Sequence, residues 1–320
     1  MGDRFSIEAL LPEDYLDHQL RSDVRAGLTG RPKSVQPKWF YDAAGSRLFE
    51  RITRLPEYYP TRAEREILTA RSGEIAAATG AASLIELGSG SSEKTRILLE
   101  ALEPDVYIPV DVSRTALEDA AAGLVRAHPD LTVHAVVGDF QHELKLPRSP
   151  GPRLLAFLGG TIGNLTPGRR ERFLAGLPGL LEPGDSLLVG TDLVKDERTL
   201  VAAYDDAQGV TAAFNKNMLR VLNRRLGADF DPERFSHVAR WDARREWIEM
   251  RLRSDGAQSV RIASLDLEVR FDDGEDLLTE TSTKFRREGV AAELERAGFA
   301  LRRWWTDEAG RFAVSLAELS

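Results

Sequence analysis

Residues Ser83 to Lys94 read Ser-Leu-Ile-Glu-Leu-Gly-Ser-Gly-Ser-Ser-Glu-Lys, an apolar strand running into a turn of small residues and then a helix start. Leu84, Ile85 and Leu87 suit a strand buried on both faces, as in a parallel sheet covered by helices. Gly88 and Gly90 carry no side chain to block a ligand at the turn, and Ser91 or Ser92 is placed to cap the next helix. The stretch predicts a nucleoside-type ligand at the carboxyl end of a parallel strand.

Two ligand classes compete for such a turn. A dinucleotide site wants Gly-x-Gly-x-x-Gly, with the pyrophosphate at the helix N-terminus. Here Glu93 stands at the third glycine position, where its carboxylate would face the pyrophosphate. S-adenosylmethionine has no phosphate and carries a sulfonium cation, so Glu86 and Glu93 do it no harm. A second apolar strand, Tyr107 to Asp111, ends in a carboxylate whose two oxygens match the two hydroxyls of a ribose. A third, Leu131 to Val137, ends in Gly138-Asp139-Phe140, offering Asp139 to an exocyclic amine and Phe140 to an adenine face. The competing reading is that Asp111 and Asp139 only cap the helices after them.

Short Val/Ile/Leu runs near 106–110, 131–137, 153–158 and 186–190 alternate with helical stretches from Thr61 onward, the pattern of a doubly wound sheet. Asn164, in the Gly159 to Leu165 loop, lies where ligands meet strand ends in such sheets. After Asp196 the character changes. Residues 199–226 read as helix, and runs between Val238 and Phe271 alternate as antiparallel strands. Glu280 and Ser282 follow, then a helix over 286–297 and a final hairpin. The expected fold is α/β, a Rossmann-like seven-stranded sheet of class I methyltransferase type with an inserted α+β substrate domain. Its sheet domain spans 60–196 and 286–320, and its substrate domain 1–59 and 197–285.

Six aromatics crowd residues 39–59 of a chain that is 8 % aromatic overall. Trp39, Phe40 and Phe49 suit a packed patch, whereas Tyr41 and Tyr58 carry hydroxyls that need partners. The net charge of −8 argues against nucleic acid or an anionic membrane as the partner and favours a small molecule. Without cysteine there are no disulfides, thiolate nucleophiles or zinc–sulfur sites, and the five dispersed histidines show no metal-ligand spacing, so no metal is expected. No run approaches a membrane span and no leader is evident, so a cytoplasmic location is expected; the chain is also expected to be a monomer.

Lys-Trp-Phe-Tyr-Asp at 38–42, Pro-Glu-Tyr-Tyr-Pro-Thr-Arg at 56–62, Glu-Leu-Gly-Ser-Gly with Glu93-Lys94-Thr95, the 163–167 loop, Gly190 to Asp196 and Tyr204-Asp205-Asp206 resemble the histidine-specific Nα-methyltransferases of ergothioneine biosynthesis. The likeness covers essentially the whole chain. It implies that Gly88, Lys94, Asp111, Asp139 and Phe140 bind S-adenosylmethionine. It further implies that Tyr58, Asn164 and Tyr204 hold the amino and carboxylate groups of L-histidine, and that Glu280 and Ser282 hold its imidazole, with Met250 beside the ring. The implied product is the trimethylated betaine hercynine. Tyr41, or a water chain, is expected to take the amine proton. Two other readings stand beside this one: methylation of another aromatic amine such as tryptophan, and a non-catalytic cofactor-binding module.

Overall fold

A computed structural model describes residues 4–90, 94–142 and 144–320. The chain forms two compact units and passes between them four times. One unit comprises the segment ending at Pro12 together with 60–194 and 285–320, and the other comprises 13–59 and 195–284. In chain order, β1 (Phe5–Ala9) belongs to the first unit, and α1 (Tyr15–Thr29) and α2 (Ala43–Ile52) to the second. The first unit resumes with α3 (Pro60–Thr79), β2 (Ser83–Leu87), α4 (Thr95–Leu102), β3 (Val106–Asp111), α5 (Arg114–Ala127), β4 (Thr132–Val137), β5 (Arg153–Phe157), α6 (Pro167–Gly176) and β6 (Ser186–Asp192). The second is completed by α7 (Glu197–Tyr204), α8 (Val210–Leu226), β7 (Phe235–Asp242), β8 (Trp247–Ser254), β9 (Gln258–Ile262), β10 (Leu267–Phe271) and β11 (Asp276–Thr283). Helix α9 (Arg287–Arg296) and the hairpin β12 (Phe299–Thr306) and β13 (Phe312–Leu319) close the first.

The first unit is built on one sheet in the order β1-β4-β3-β2-β5-β6-β13-β12, parallel from β1 to β6, with β13 antiparallel to both its neighbours. The order reverses between β2 and β5, the switch point where ligands of such sheets bind. Every residue of β2 and β6 is buried, which explains their unbroken apolar reading. Two expectations are corrected here. The sheet has eight strands rather than seven, because Phe5–Ala9 pairs in register with Val133–Val137. The N-terminal segment up to Pro12 consequently belongs with the sheet, not with residues 13–59.

The second unit holds a three-stranded sheet, β11-β8-β7, and the ribbon β10-β9. Its core joins α1, the aromatic segment and α8 to these strands through Leu20, Val24, Trp39, Phe40, Phe214, Leu219, Ile248 and Leu277. The helix expected over 199–226 is two helices. Asp206 breaks it by accepting from the backbone N–H groups of Val210 (3.0 Å) and Thr211 (2.7 Å), capping α8. No helix among the described residues is long and apolar enough to cross a membrane.

Candidate active site

In the first unit, the turn after β2 is shaped by Gly88 at φ +69 and Gly90 at φ +50, left-handed values that favour glycine. The Gly88 N–H donates to Val110 O (2.8 Å) and the Gly138 N–H to Asp111 O (3.0 Å), tying the ends of β2, β3 and β4 together. Asp111 accepts from the Ser113 N–H (2.9 Å) and more weakly from that of Gly90 (3.4 Å). Burial pushes its pKa up against those bonds, so a pair of ligand hydroxyls would resolvate it. Phe140 stands beside the turn, with its ring edge 3.6 Å from where a Cβ on Gly88 would lie. It packs edge-on against Phe157 (5.1 Å between centroids) and Phe173 (5.7 Å). Asp139 is buried, accepts from the Gln141 N–H (2.9 Å) and lies 3.2 Å from His142 Nδ1. The hydroxyl of Ser89, buried in the glycine turn, has no hydrogen-bond partner and is a polar group that a ligand can satisfy. Three backbone-linked strand ends, a buried carboxylate and this orphaned hydroxyl fit a nucleoside.

Lys94, at the start of α4, is ion-paired with Glu64 of α3. Glu64 is fully buried and both its oxygens accept from the Gly159 N–H, at 2.8 and 3.0 Å. Room for it exists because residue 190 is glycine: a Cβ there would lie 2.1 Å from Glu64 Oε1. Asn164 ends the helical turn Thr161–Asn164 after β5 and is half-buried. Glu86 points into the fold instead. It accepts from Thr95 Oγ1 and Tyr107 Oη (2.6 Å each), and burial raises its pKa. The helix caps expected at Ser91 and Ser92, and Glu93 with its bearing on pyrophosphate, lie outside the described residues.

In the second unit, the aromatic segment forms a chain of edge contacts. Tyr41 meets Phe49 (5.6 Å) and Phe214 (5.5 Å), Phe49 meets Tyr58 (6.1 Å), and Tyr58 meets Tyr204 (6.3 Å). Asp42 holds this segment by accepting from the Gly45 N–H (2.7 Å) and from Asn217 Nδ2 (2.8 Å). Tyr204 sits at the last residue of α7, where His237 Nε2 donates to its carbonyl (2.8 Å). Its hydroxyl donates to Ser282 Oγ (2.9 Å), and Lys284 Nζ donates to both oxygens, at 2.8 and 2.9 Å.

A β-bulge between Leu278 and Glu280 brings Glu280 to this cluster. At the start of β11 the odd-numbered positions, Leu277 and Thr279, are the buried ones. Beyond the bulge the parity changes, and Glu280, Ser282 and Lys284 are the buried set. Met250 of β8 pairs opposite Glu280. Burial raises the Glu280 pKa to about 7, with Lys284 drawing it partly back. Tyr41 keeps 46 % of its surface exposed, yet burial around its hydroxyl, then Glu280 and Tyr204, push its pKa upward. Tyr41 is therefore a neutral phenol at ordinary pH.

Within its own unit each predicted group is assembled: Gly88, Lys94, Asp111, Asp139, Phe140 and Asn164 at or beside strand ends of the sheet, and Tyr41, Tyr58, Tyr204, Glu280 and Ser282 around the aromatic chain and β11. Sequence reasoning missed Glu64 and Lys284. Lys284 had a signal, since it continues the spacing of two that links Glu280 and Ser282.

Known proteins carry the same fold. A solved S-adenosylmethionine-dependent methyltransferase from Clostridium acetobutylicum ATCC 824 matches this chain with a TM-score of 0.51, over 86 % of this chain and 98 % of that one, at 12 % identity. The first unit thus has the Rossmann-like α/β fold of that protein. Its sequence is 56 % identical over 319 residues to the histidine N-alpha-methyltransferase of Mycobacterium tuberculosis (98 % of this chain, 99 % of that one). It is 57 % identical over 317 residues to the enzyme of the same name from Mycolicibacterium smegmatis (98 % of each). The family described as histidine-specific, SAM-dependent methyltransferases matches residues 20–319, and the chain belongs to it. Its methyl donor is S-adenosylmethionine.

Proposed function

We propose that this enzyme methylates the α-amino nitrogen of free L-histidine three times, giving hercynine for ergothioneine biosynthesis. The buried pairing of Glu280 with Ser282 carries the reading: a carboxylate and a hydroxyl on one face of β11 answer the two ring nitrogens of an imidazole. An indole would leave one of them unpaired.

S-adenosylmethionine, when bound, supplies an electrophilic methyl group on a sulfonium. Asp111 holds the ribose hydroxyls, Phe140 and Asp139 the adenine, and Lys94 the carboxylate of the methionine portion, with Gly88 leaving the space. Tyr58, Tyr204 and Asn164 fix the amino and carboxylate groups of histidine. The protein's contribution is alignment of the amine with the methyl in a water-poor site. An ammonium has no lone pair, so a proton must leave before each transfer. Its free pKa of roughly 8 to 9 makes a strong base unnecessary. Tyr41, neutral, relays that proton: its hydroxyl oxygen takes the amine proton as its own proton passes on to water, rather than acting as a tyrosinate base. The rings of Tyr41, Phe49 and Tyr58 favour the growing cationic ammonium. The net charge of −8 supports a small-molecule acceptor over nucleic acid, and we take the enzyme to act as a cytoplasmic monomer.

Mass spectrometry of the product from histidine and S-adenosylmethionine tests the reading: a species with three added methyl groups, all on the α-nitrogen, is expected. A ring-methylated product, or none, overturns it. Tyr41→Phe is expected to slow turnover and alter its pH profile, and an unchanged rate and profile removes Tyr41 from the proton path.

A further inference from the structure

We propose that Lys284 fixes the direction of the hydrogen-bond chain around the ring, so that Ser282 meets the substrate only as a donor and the site selects a neutral imidazole. The inference rests on the reading that Glu280 and Ser282 hold the substrate ring.

A serine hydroxyl ordinarily donates or accepts as its partner requires. Ser282 has lost that freedom. Lys284 is 1 % exposed, and an ammonium has three donors and no acceptor. It donates to Ser282 Oγ (2.9 Å) and to Tyr204 Oη (2.8 Å), while the Tyr204 hydroxyl donates to Ser282 Oγ (2.9 Å). With Ser282 Oγ accepting from both, what it has left to offer a ligand is its own proton. Glu280, two residues earlier on the same face, accepts when ionised. The pair presents one donor and one acceptor, the complement of a ring with one lone pair and one N–H. An imidazolium would set an N–H against the Ser282 proton, and an indole or phenyl ring would offer that proton no lone pair. Lys284 touches the ring through Ser282 and is a positioning residue. The groups acting electrostatically with Glu280 are Lys284 and Tyr41, and β8 places the uncharged Met250 opposite it.

Calorimetry on the full-length enzyme saturated with S-adenosylhomocysteine tests this with L-histidine and the β-(pyrrol-2-yl) and β-(pyrrol-3-yl) alanines, which keep one N–H and lack the lone pair. In the unaltered enzyme the better pyrrole should bind roughly 10- to 100-fold more weakly than histidine, because the Ser282 proton is left unpaired. In Lys284→Met that proton can turn to Tyr204, and the ratio should fall to within about threefold. The limb on which histidine affinity is lost with falling pH should also move to higher pH, since the charge that opposes the burial of Glu280 is gone. Loss of packing alone would weaken all three ligands equally and leave the limb in place, and that result, like an unchanged ratio, overturns the inference. Unaltered affinity for S-adenosylhomocysteine verifies folding, and Lys284→Gln, expected to show an intermediate ratio, replaces the methionine variant if that one does not fold. Glu280→Ala separates the two levels. If it leaves histidine affinity intact, the placement of the ring fails. If it weakens binding while Lys284→Met discriminates like the unaltered enzyme, only the role of Lys284 fails.

Discussion

Glu280 is ionised at some cost. With its pKa raised from the usual glutamate range to about 7 by burial, the folded protein binds this proton more tightly than the unfolded chain does. The corresponding stability is present below about pH 4.5 and is lost as pH rises through 7. Glu280→Gln should therefore raise the melting temperature at pH 8 more than at pH 5, the difference corresponding to about 3 kcal/mol at most. Melting curves at the two values check this. The same substitution should raise the KM for histidine while leaving affinity for S-adenosylhomocysteine unchanged. Of this residue-scale chemistry the sequence disclosed the carboxylate and the hydroxyl but not the ammonium behind them. Lys284 continues their spacing of two, but it lies one residue past the end of β11, and a lysine at a strand end reads in sequence as a solvated charge. Glu64 gave no signal at all, because one glutamate in a charged helix looks the same whether it meets water or is buried against a lysine.

At the scale of elements, helix α3 and strand β6 meet through Glu64 and Gly190. A methyl group at residue 190 would lie 2.1 Å from Glu64 Oε1 and 3.2 Å from the Phe312 ring. Gly190→Ala should cost about 1–3 kcal/mol by overpacking and, by displacing the partner of Lys94, weaken binding of S-adenosylhomocysteine. Denaturant melts and calorimetry measure the two effects. In the second unit, Phe214 of α8 supports the aromatic segment, with its ring 4.5 Å from Phe40, 5.5 Å from Tyr41 and 5.9 Å from Phe49. Phe214→Ala should destabilise by about 3–5 kcal/mol and raise the KM for histidine, read from the same melts and from steady-state kinetics. The inner strands were legible because burial on both faces writes a continuous apolar run. Strand β1 was not: only Phe5 and Ile7 are partly covered, and five residues of weak alternation do not distinguish an edge strand from a loop. The break between α7 and α8 was hidden because the apolar period runs on across it, and only the side chain of Asp206 ends it.

For the whole molecule, the cofactor residues all fall in the first unit and the histidine residues, Asn164 apart, in the second, which predicts two separable footprints in hydrogen exchange. S-adenosylhomocysteine should slow exchange around Gly88 to Gly90, Ser113 and Gln141, and histidine around Tyr58, Tyr204 and Ser282. Protection of only one set by both ligands would contradict that division. The four passages of the chain between units have a further consequence during synthesis. Leu20, Val24, Trp39 and Phe40 leave the ribosome early, but their packing partners Phe214 and Leu277 come only after strands β2 to β6 of the other unit. At about 5–20 residues per second the interval from Tyr59 to Lys284 lasts roughly 10–45 seconds. Throughout it the segment that will frame the amino-acid site is a sticky, half-made surface. The nascent chain is thus most exposed to chaperones and to aggregation in the very residues that later handle the substrate.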